Sequence, residues 1–327
     1  MYDYGLSTLV QYGIEAKSSS RTRGALLCRT EQGSLLIREF HGSEKKLLFQ
    51  QELLKKLSEE GCLVDTFIEN QEGSLVTRDK DNIPYTLQRW YEGHECDTKS
   101  REDILKSVQT LARIHKFMNM PVDDSYAVRS LVEEYTRHNQ EIRKIRKFVR
   151  RKGASARFEK SFLGSVEYFL EKGERALETL VKSDYDKLRD KAQKNGAVCH
   201  GEYNQHNVIL CKKQIAVTNF GHFGFDIQIS DLYCFMRKIL EKYNWDVSLA
   251  LKMLEQYEKI RHISEEEWEN LKIRFMYPEK YWKLANYYFS HNKAWISGKN
   301  TEKLEKVIAQ RELWGEFPGK CFGKYPF

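Results

Sequence analysis

Three side chains in one short stretch have the types and spacing that phosphoryl transfer requires. Glu202 is a carboxylate, Asn207 follows it by five residues, and Asn219 opens an Asn-Phe-Gly turn twelve residues further on. When a phosphoryl group is transferred, an acid accepts the hydroxyl proton, an Asn holds one magnesium ion and an Asp before Phe-Gly holds another. The spacing therefore indicates this chemistry, but Asn219 stands where a charged ligand is expected.

Two apolar segments predict the hairpin that positions these side chains. Residues 208–210 and 215–217 flank a Lys212-Lys213 turn. Two short strands joined by such a turn place Asn207 just before the first strand and Asn219 just after the second.

Each candidate in this stretch also has a structural interpretation. Glu202 serves as base or metal-side carboxylate, or it caps the turn that follows it. Compared with Asp, Glu moves the carboxylate by about 1.5 Å, and a misplacement of that size costs on the order of a hundredfold in rate. Asp226 is a carboxylate that could compensate for the missing charge at Asn219, or it caps a turn or helix. His200 is expected to hydrogen-bond neighbouring backbone.

The first 90 residues predict strands around one helix, in the order strand, strand, strand, helix, strand, strand. The leucines of the helical segment fall on one stripe, and Gly61 ends it. Polar residues 17–24 read as a turn, and residues 31–34 as a hairpin signal. The predicted strands are residues 9–16, 25–30, 35–40, 63–68 and 75–78, and the predicted helix is 46–59.

From about residue 95 the apolar spacing is helical, apart from the segment 197–221. We therefore predict an N-lobe over residues 1–90 and a helical C-lobe over 91–327 that contains the segment 200–221. The predicted helices are 103–118, 131–151, 158–181, 231–242, 247–260, 264–274 and 278–295.

Charge and composition limit the classes of function. The chain has 54 basic and 47 acidic residues, and residues 137–160 are strongly basic. Apolar residues at helical spacing within that run favour the solvated face of an amphipathic helix. The alternative is a surface for RNA or phosphate, although nucleic acid is not favoured because no aromatic-basic signature accompanies the run.

Cysteine usage and hydropathy indicate the compartment. The seven cysteines contain no Cys-x-x-Cys pair, which is typical of reduced thiols and does not favour zinc. No segment reaches the roughly 18 apolar residues of a spanning helix, and the first ten residues do not resemble a signal peptide. We therefore expect synthesis in the cytoplasm and no membrane partner.

Taken in order, these motifs resemble the protein-kinase-like superfamily, in the branch of aminoglycoside and choline phosphotransferases. The resemblance rests on His200-Gly201-Glu202, Asn207, Asn219-Phe220-Gly221 and Asp231-Leu232, and it covers nearly the whole chain. It implies an α+β, two-lobed kinase-like fold with a small β-rich N-lobe and a large helical C-lobe. ATP and magnesium are the cofactors that it implies, and the altered charges argue against both.

The resemblance also assigns residues to the cofactors. Arg38 takes the place of the strand Lys that pairs with a helix Glu, and Glu52 is the best helical partner; an ion pair that only ties strand to helix is the alternative. The hinge-like segment 87–93 supplies two nucleotide contacts, Gln88 and Trp90. A weak magnesium site would use three residues, namely Asn207, Asn219 and Asp226.

A narrower resemblance covers the C-terminal half, which is similar to spore-coat proteins of the CotS type. It implies synthesis in the mother cell, location in the spore coat and other coat proteins as partners. The segments concerned are 218–220, 226–228, 231–233, 235–238, 277–283 and 292–296.

These observations lead to three hypotheses. The first is a kinase-like coat protein, a scaffold or pseudokinase that binds nucleotide at most. The second is an active ATP-dependent small-molecule phosphotransferase with Glu202 as base. The third is an RNA- or phosphate-binding module that uses residues 137–160.

Overall fold

In the computed structural model, which describes residues 4–22, 24–291 and 298–323, the polar turns of the N-terminal sequence separate antiparallel strands. Five strands form one sheet in the order β1-β2-β3-β6-β5. These strands are β1 (Ala16–Thr22), β2 (Ala25–Thr30), β3 (Gly33–Glu39), β5 (Val76–Arg78) and β6 (Pro84–Arg89), with β4 (Leu63–Val64) outside this sheet.

The first strand lies where the sequence predicted a turn. Of the residues predicted as a strand, 9–16, residues 9–12 lie in a 3-10 helix, Leu6–Tyr12, and the predicted turn 17–24 is mostly β1. Because β1 is the edge strand and most of its side chains are exposed, a run of serines stays solvated there. Both predictions were therefore wrong, and the exposed edge position accounts for the second.

The helix that follows β3 is α1 (Glu44–Glu59), close to the predicted range. The hydroxyl of Ser43 accepts a hydrogen bond from the backbone N–H of Lys46, which caps the helix start. Leu47, Leu53, Leu54 and Leu57 are buried, as the stripe predicted, but Leu48 of the same stripe is exposed. Burial of the other leucines fixes α1 in the unit that contains the N-terminal sheet.

A second, four-stranded sheet has the order β4-β10-β9-β7, with β7 (His94–Glu95), β9 (Val208–Leu210) and β10 (Ile215–Val217). The two strands of the predicted hairpin, β9 and β10, have the predicted bounds. Strand β4 pairs in parallel with β10, so Val64 lies opposite Val217. The residues that follow β4 and β10 therefore leave the sheet at the same edge.

The chain forms two compact units. The first contains residues 1–121 and 196–224, including α2 (Arg101–His115) and β8 (Val198–Cys199), and the second contains 122–195 and 225–327. Strand β11 (Gly224–Phe225) spans the third point at which the chain passes from one unit to the other. The lobe boundary predicted at residue 90 stays a prediction.

The second unit is mainly helical among its described residues. The predicted helix 158–181 is two helices, α4 (Arg157–Leu163) and α5 (Val166–Lys182), and the predicted helix 278–295 is α10 (Glu279–Ser290); residues 292–297 lie outside the described part. The helices are α3 (Leu131–Lys152), α4 (Arg157–Leu163), α5 (Val166–Lys182), α6 (Tyr185–Lys194), α7 (Ile229–Leu240), α8 (Val247–Glu258), α9 (Glu265–Met276), α10 (Glu279–Ser290), α11 (Lys299–Ala309) and α12 (Arg311–Phe322).

The basic run 137–160 lies mainly on α3 and is largely ion-paired. Arg146 and Arg150 both contact the carboxylate of Glu167, at 2.7 and 2.6 Å, and Arg143 pairs with Glu174 at 2.7 Å. These partners belong to α5, so the charges join two helices of the same unit. This arrangement supports the interpretation of the run as a solvated helix face.

Candidate active site

The loop between β8 and β9 holds Glu202, and a glycine makes its first turn. Gly201 has φ of +78°, and a Cβ on it would lie 2.0 Å from the backbone oxygen of His222. Further along, the buried hydroxyl of Tyr203 donates to the backbone oxygen of Ser107 on α2 at 2.7 Å. Tight backbone packing on one side and a buried hydrogen bond on the other thus fix the position of Glu202.

His200 is fully buried and holds the two ends of this segment together. Its Nε2 lies 3.0 Å from the backbone oxygen of Thr218, and its Nδ1 accepts from the backbone N–H of Glu202 at 3.1 Å. A neutral ring with the proton on Nε2 satisfies both contacts. The predicted structural role of His200 is therefore confirmed.

Asn207 is buried beside the same loop. Its side-chain nitrogen donates to the backbone oxygen of Glu202 at 2.9 Å, and its own backbone oxygen accepts from the N–H of Thr218 at 2.9 Å. Its Oδ1 has no hydrogen-bond partner among the described residues. The hairpin thus places Asn207 next to Glu202, with one amide oxygen left for a ligand.

Asn219 connects the two charged residues of the site. Its Oδ1 accepts from Nη1 of Arg38 at 3.0 Å, and its Nδ2 donates to Oε2 of Glu202 at 2.9 Å. The same carboxylate oxygen lies 3.6 Å from Nε2 of His222. A single neutral amide therefore bridges a guanidinium and a carboxylate. We call these three residues, Arg38, Asn219 and Glu202, together with Asp65, the Asn219 network.

Asp65, which the sequence reasoning missed, completes the Asn219 network from beneath. It follows β4 directly and is fully buried. Its Oδ2 accepts from the backbone N–H of Asn219 at 2.8 Å and from Nε2 of Gln88 at 3.3 Å, while its Oδ1 has no partner. Burial raises the pKa of Asp65 to about 7, although the Asn219 N–H and the Arg38 charge oppose the shift.

The backbone of Asn219 explains how one residue reaches all these groups. Its φ is +69°, in the left-handed region where Asn is tolerated better than other side chains with a Cβ. In the sequence, the signal for Asp65 was a single carboxylate in the otherwise mostly apolar run Cys62–Phe67. The parallel pairing of β4 with β10 brings these distant residues together.

Comparison with known proteins decides the family. The family model described as "Spore coat putative kinase YutH" matches residues 8–318, which is nearly the whole chain. The chain belongs to this family. Among curated proteins, "Spore coat protein S" of Bacillus subtilis (strain 168) is 20% identical over 313 residues, which cover 94% of this chain and 89% of that protein. The resemblance to the CotS type is thus confirmed.

Solved structures confirm the kinase-like fold of this YutH-family chain. An aminoglycoside phosphotransferase from Alicyclobacillus acidocaldarius has a TM-score of 0.87 at 15% identity, covering 97% of this chain and 94% of that one. A spectinomycin phosphotransferase in complex with ADP and spectinomycin has 0.62 at 13% identity, covering 94% and 97%. An amicoumacin kinase in complex with AMP-PNP and Ca²⁺ also has 0.62 at 13%, covering 96% and 94%.

Within the described residues of this YutH-family chain, no helix is long and apolar enough to cross a membrane. The same residues contain no group of three or more His, Cys, Asp or Glu that could hold a metal ion.

The structure does not bring Glu52 to Arg38, so the predicted ion pair is wrong. Glu52 is exposed on α1, and Arg38 contacts Asn219 instead. The adjacent Gln51 faces inward, where its amide both donates to and accepts from the backbone of Phe67. The one-residue shift turns the carboxylate outward, because neighbouring residues lie about 100° apart around a helix.

The two residues predicted for the hinge are both near the N-terminal sheet. Gln88 is buried, and its Nε2 donates to Asp65, which makes it part of the Asn219 network. Trp90 is half-buried, and its backbone N–H donates to the oxygen of Ser34 at 2.9 Å. Their assignment to nucleotide stays a prediction.

Asp226 belongs to the second unit and is almost fully buried. Its Oδ2 lies 3.9 Å from Nη2 of Arg274, and its Oδ1 has no partner. Burial raises the pKa of Asp226, and the charge of Arg274 opposes that shift. Its role as a metal ligand stays a prediction.

The donors of the first unit do not fit magnesium as they are arranged. Magnesium prefers several oxygen ligands in octahedral geometry, with carboxylates among them. Here the Oδ1 of Asn219 already faces the positive guanidinium of Arg38 at 3.0 Å, and Glu202 accepts from the same amide. A divalent ion at Asn219 would therefore meet a cation of the protein.

Beside the Asn219 network is a pocket of about 300 Å³ that lies wholly within the first unit. Its lining includes apolar side chains such as Leu47 and Phe67, the cations Arg38 and Lys46, and the acid Glu39. Lys46 also donates to the backbone oxygen of Gly221 at 2.9 Å, which joins α1 to the turn after Asn219. The pocket is large enough for a small ligand with an anionic group.

Proposed function

We propose that this protein is a kinase-like scaffold of the spore coat that does not carry out magnesium-dependent phosphoryl transfer. It is made in the mother cell and assembles with other coat proteins. The observation that supports the proposal is the bridge from Arg38 through the amide of Asn219 to Glu202.

The bridge requires an amide at position 219. A carboxylate there could accept from Arg38, but it could not donate to Glu202. Two carboxylates about 3 Å apart repel each other unless a proton or a cation separates them. The amide of Asn219 supplies the missing donor, so the group that would normally need a metal ion is satisfied by a neutral hydrogen bond.

The charge balance of the Asn219 network supports the same conclusion. Arg38 faces two acids, Glu202 through the amide and Asp65 through space, and the raised pKa of Asp65 leaves it largely neutral below about pH 7. The positive charge of Arg38 is therefore balanced by about one negative charge, that of Glu202. A bound magnesium ion would add two positive charges to a set that is already balanced.

The decisive experiment measures magnesium-dependent ATP turnover by the purified protein and by Asn207→Ala. We expect both proteins to show the same background rate. A wild-type rate above that background, lost in Asn207→Ala, would overturn the proposal. Calorimetry with ATP, with and without magnesium, then decides separately whether the scaffold binds nucleotide.

Coat association has its own test. A fluorescent fusion expressed during sporulation should collect at the forespore surface, and the same fusion of Asn207→Ala should do so equally, because the proposed scaffold role needs no phosphoryl transfer. A fusion that stays diffuse in the mother cell would contradict assembly with other coat proteins.

A second candidate is an active small-molecule phosphotransferase, and one observation favours it. Asn207 holds the backbone of Glu202 and keeps its own Oδ1 open for a ligand. Under this hypothesis Glu202→Gln abolishes a measurable transfer to a hydroxyl-bearing metabolite, whereas Asn219→Asp keeps or raises it. Absence of saturable nucleotide binding would eliminate this candidate.

A further inference from the structure

The far end of the β9–β10 hairpin borders a second pocket of about 300 Å³, formed by residues of the first unit. The turn between the strands contributes Lys212 and Lys213, and one face of α2 contributes Lys106 and Arg113. Four basic side chains therefore line one concavity, and Glu60 is the single acid among the lining residues. We call it the hairpin-tip pocket.

Most of these cations have no protein partner. Lys106 pairs with Glu102 at 2.6 Å. The side chains of Arg113, Lys212 and Lys213 have neither a hydrogen bond nor an ion pair to any described residue. By contrast, several basic side chains of α3 are paired with acids of α5.

The helical spacing of α2 explains the arrangement. Residues 106, 109, 110 and 113 follow one another at three- and four-residue steps, so their side chains share one face. Gln109 and Thr110 add neutral hydrogen-bonding groups between the two cations. The hairpin turn adds its two lysines and Gln214, so cations and neutral donors surround the same space.

We propose that the hairpin-tip pocket binds a small molecule that carries two or more phosphate groups. Arg113 offers a planar fork that matches a phosphate oxygen pair, and the lysines act as mobile point charges. A volume of about 300 Å³ exceeds a single monatomic ion and suits a compact polyanion. The site is separate from the Asn219 network, and the proposal holds whether or not the scaffold function does.

Titration calorimetry of the full chain with inorganic pyrophosphate tests the site. We expect saturable one-to-one binding that weakens steeply as salt is raised. Lys212→Gln/Lys213→Gln should weaken binding by about tenfold or more, and Arg113→Gln similarly, because each removes charge-assisted hydrogen bonds. No binding at low salt would overturn the proposal.

A matched control removes the same charge elsewhere. Lys144 and Lys147 are exposed on α3 in the second unit, and Lys144→Gln/Lys147→Gln changes the net charge equally. This variant should change pyrophosphate affinity by less than about twofold, since screening leaves distant surface charges little effect. An equal loss in both double variants would show only general charge attraction and would overturn the site.

Two thiols report on the pocket without any substitution. Cys62 and Cys211 line it and are half-buried, while Cys234 is half-buried in the second unit. Mass spectrometry can measure how fast each of the three thiols is alkylated. Pyrophosphate should slow alkylation of Cys62 and Cys211 and leave the rate at Cys234 unchanged. Slowing at Cys234 alone, or at none of the three, would place the anion elsewhere and overturn the proposal.

Discussion

The two ends of the β9–β10 hairpin differ in whether their charged side chains have partners. At one end, Arg38 and Glu202 are joined through Asn219, and Asp65 accepts from the Asn219 backbone. At the other end, Arg113, Lys212 and Lys213 line a pocket without acidic partners. The comparison teaches that the protein supplies partners for the charges of Arg38 and Glu202 at the end with the motif of an active site, whereas the end without a motif leaves three cations for a ligand.

The largest effect is expected from a substitution that the tightly packed backbone at the Asn219 end of the hairpin cannot accommodate. Gly201→Ala should lower the free energy of unfolding by more than about 4 kcal/mol, because the new Cβ would meet the His222 carbonyl as well as a strained φ. The matched control is Gly61→Ala beside the hairpin-tip pocket, which has φ of +77° and nothing within 4 Å.

That control should lose only the 1–2 kcal/mol that a left-handed residue costs, roughly. Urea unfolding of the two variants measures the difference. Equal losses would contradict the tight packing of Gly201.

The next effect is a pH dependence set by Asp65. Its pKa is 3.8 in the unfolded chain and about 7 when folded, so between these values the folded state binds the extra proton. Stability therefore falls as pH rises from about 4 to about 7, by at most about 4 kcal/mol. Above the folded pKa both states are ionised and this contribution levels off.

Asp65→Asn removes the titration and keeps a neutral side chain. Its stability relative to wild type should grow as pH rises through that window, in urea melts taken at several pH values. Asp81→Asn, on an exposed turn, is the control and should run parallel to wild type. A pH-independent difference for Asp65→Asn would contradict the assignment.

Asn219→Asp should have a smaller effect that magnesium reverses. The variant loses the donation to Glu202 and sets two carboxylates against each other, so it should lose about 1–3 kcal/mol of stability in the absence of metal. Magnesium should raise the melting temperature of the variant, because only the folded form would bind it, and leave wild type unchanged. If magnesium raised the melting temperature of wild type equally, the Asn219 network would already accept the ion.

The smallest change in stability is expected from substitutions at the hairpin-tip pocket. Lys212→Gln/Lys213→Gln should change the free energy of unfolding by less than about 0.5 kcal/mol, since exposed charges without partners contribute little to stability. Thermal melts compare the double variant with wild type. A large loss of stability would mean that the lysines are structural and that the two ends are more alike than proposed.

The sequence predicted the hairpin to the residue, because 208–210 and 215–217 are apolar runs bounded by polar turns. It failed at residues 17–24, where an edge strand tolerates polar side chains that otherwise mark a turn. It also missed Asp65: a strand was predicted over residues 63–68, but only Leu63–Val64 form one, so Asp65 directly follows the strand. Periodicity reveals elements that bury one face, and an exposed edge strand does not bury one.

The partner of Arg38 was out of reach for a different reason. An ion pair between Arg38 on its strand and Glu52 on α1 was a reasonable prediction, but Glu52 lies on the exposed side of the helix. The observed partner, Asn219, is 181 residues away in sequence. This contact depends on how distant segments come together, and local sequence patterns do not specify that arrangement.

The parallel pairing of β4 with β10 has a consequence for synthesis on the ribosome. Strand β4 is made early, but its partner residues 216 and 217 emerge only after the whole segment 122–195, which belongs to the other unit. Until then Asp65 lacks the backbone N–H of Asn219, although Arg38 and Gln88 have already been made. The first unit therefore completes its fold late, and a nascent chain that stops before residue 216 leaves that edge of β4 unpaired.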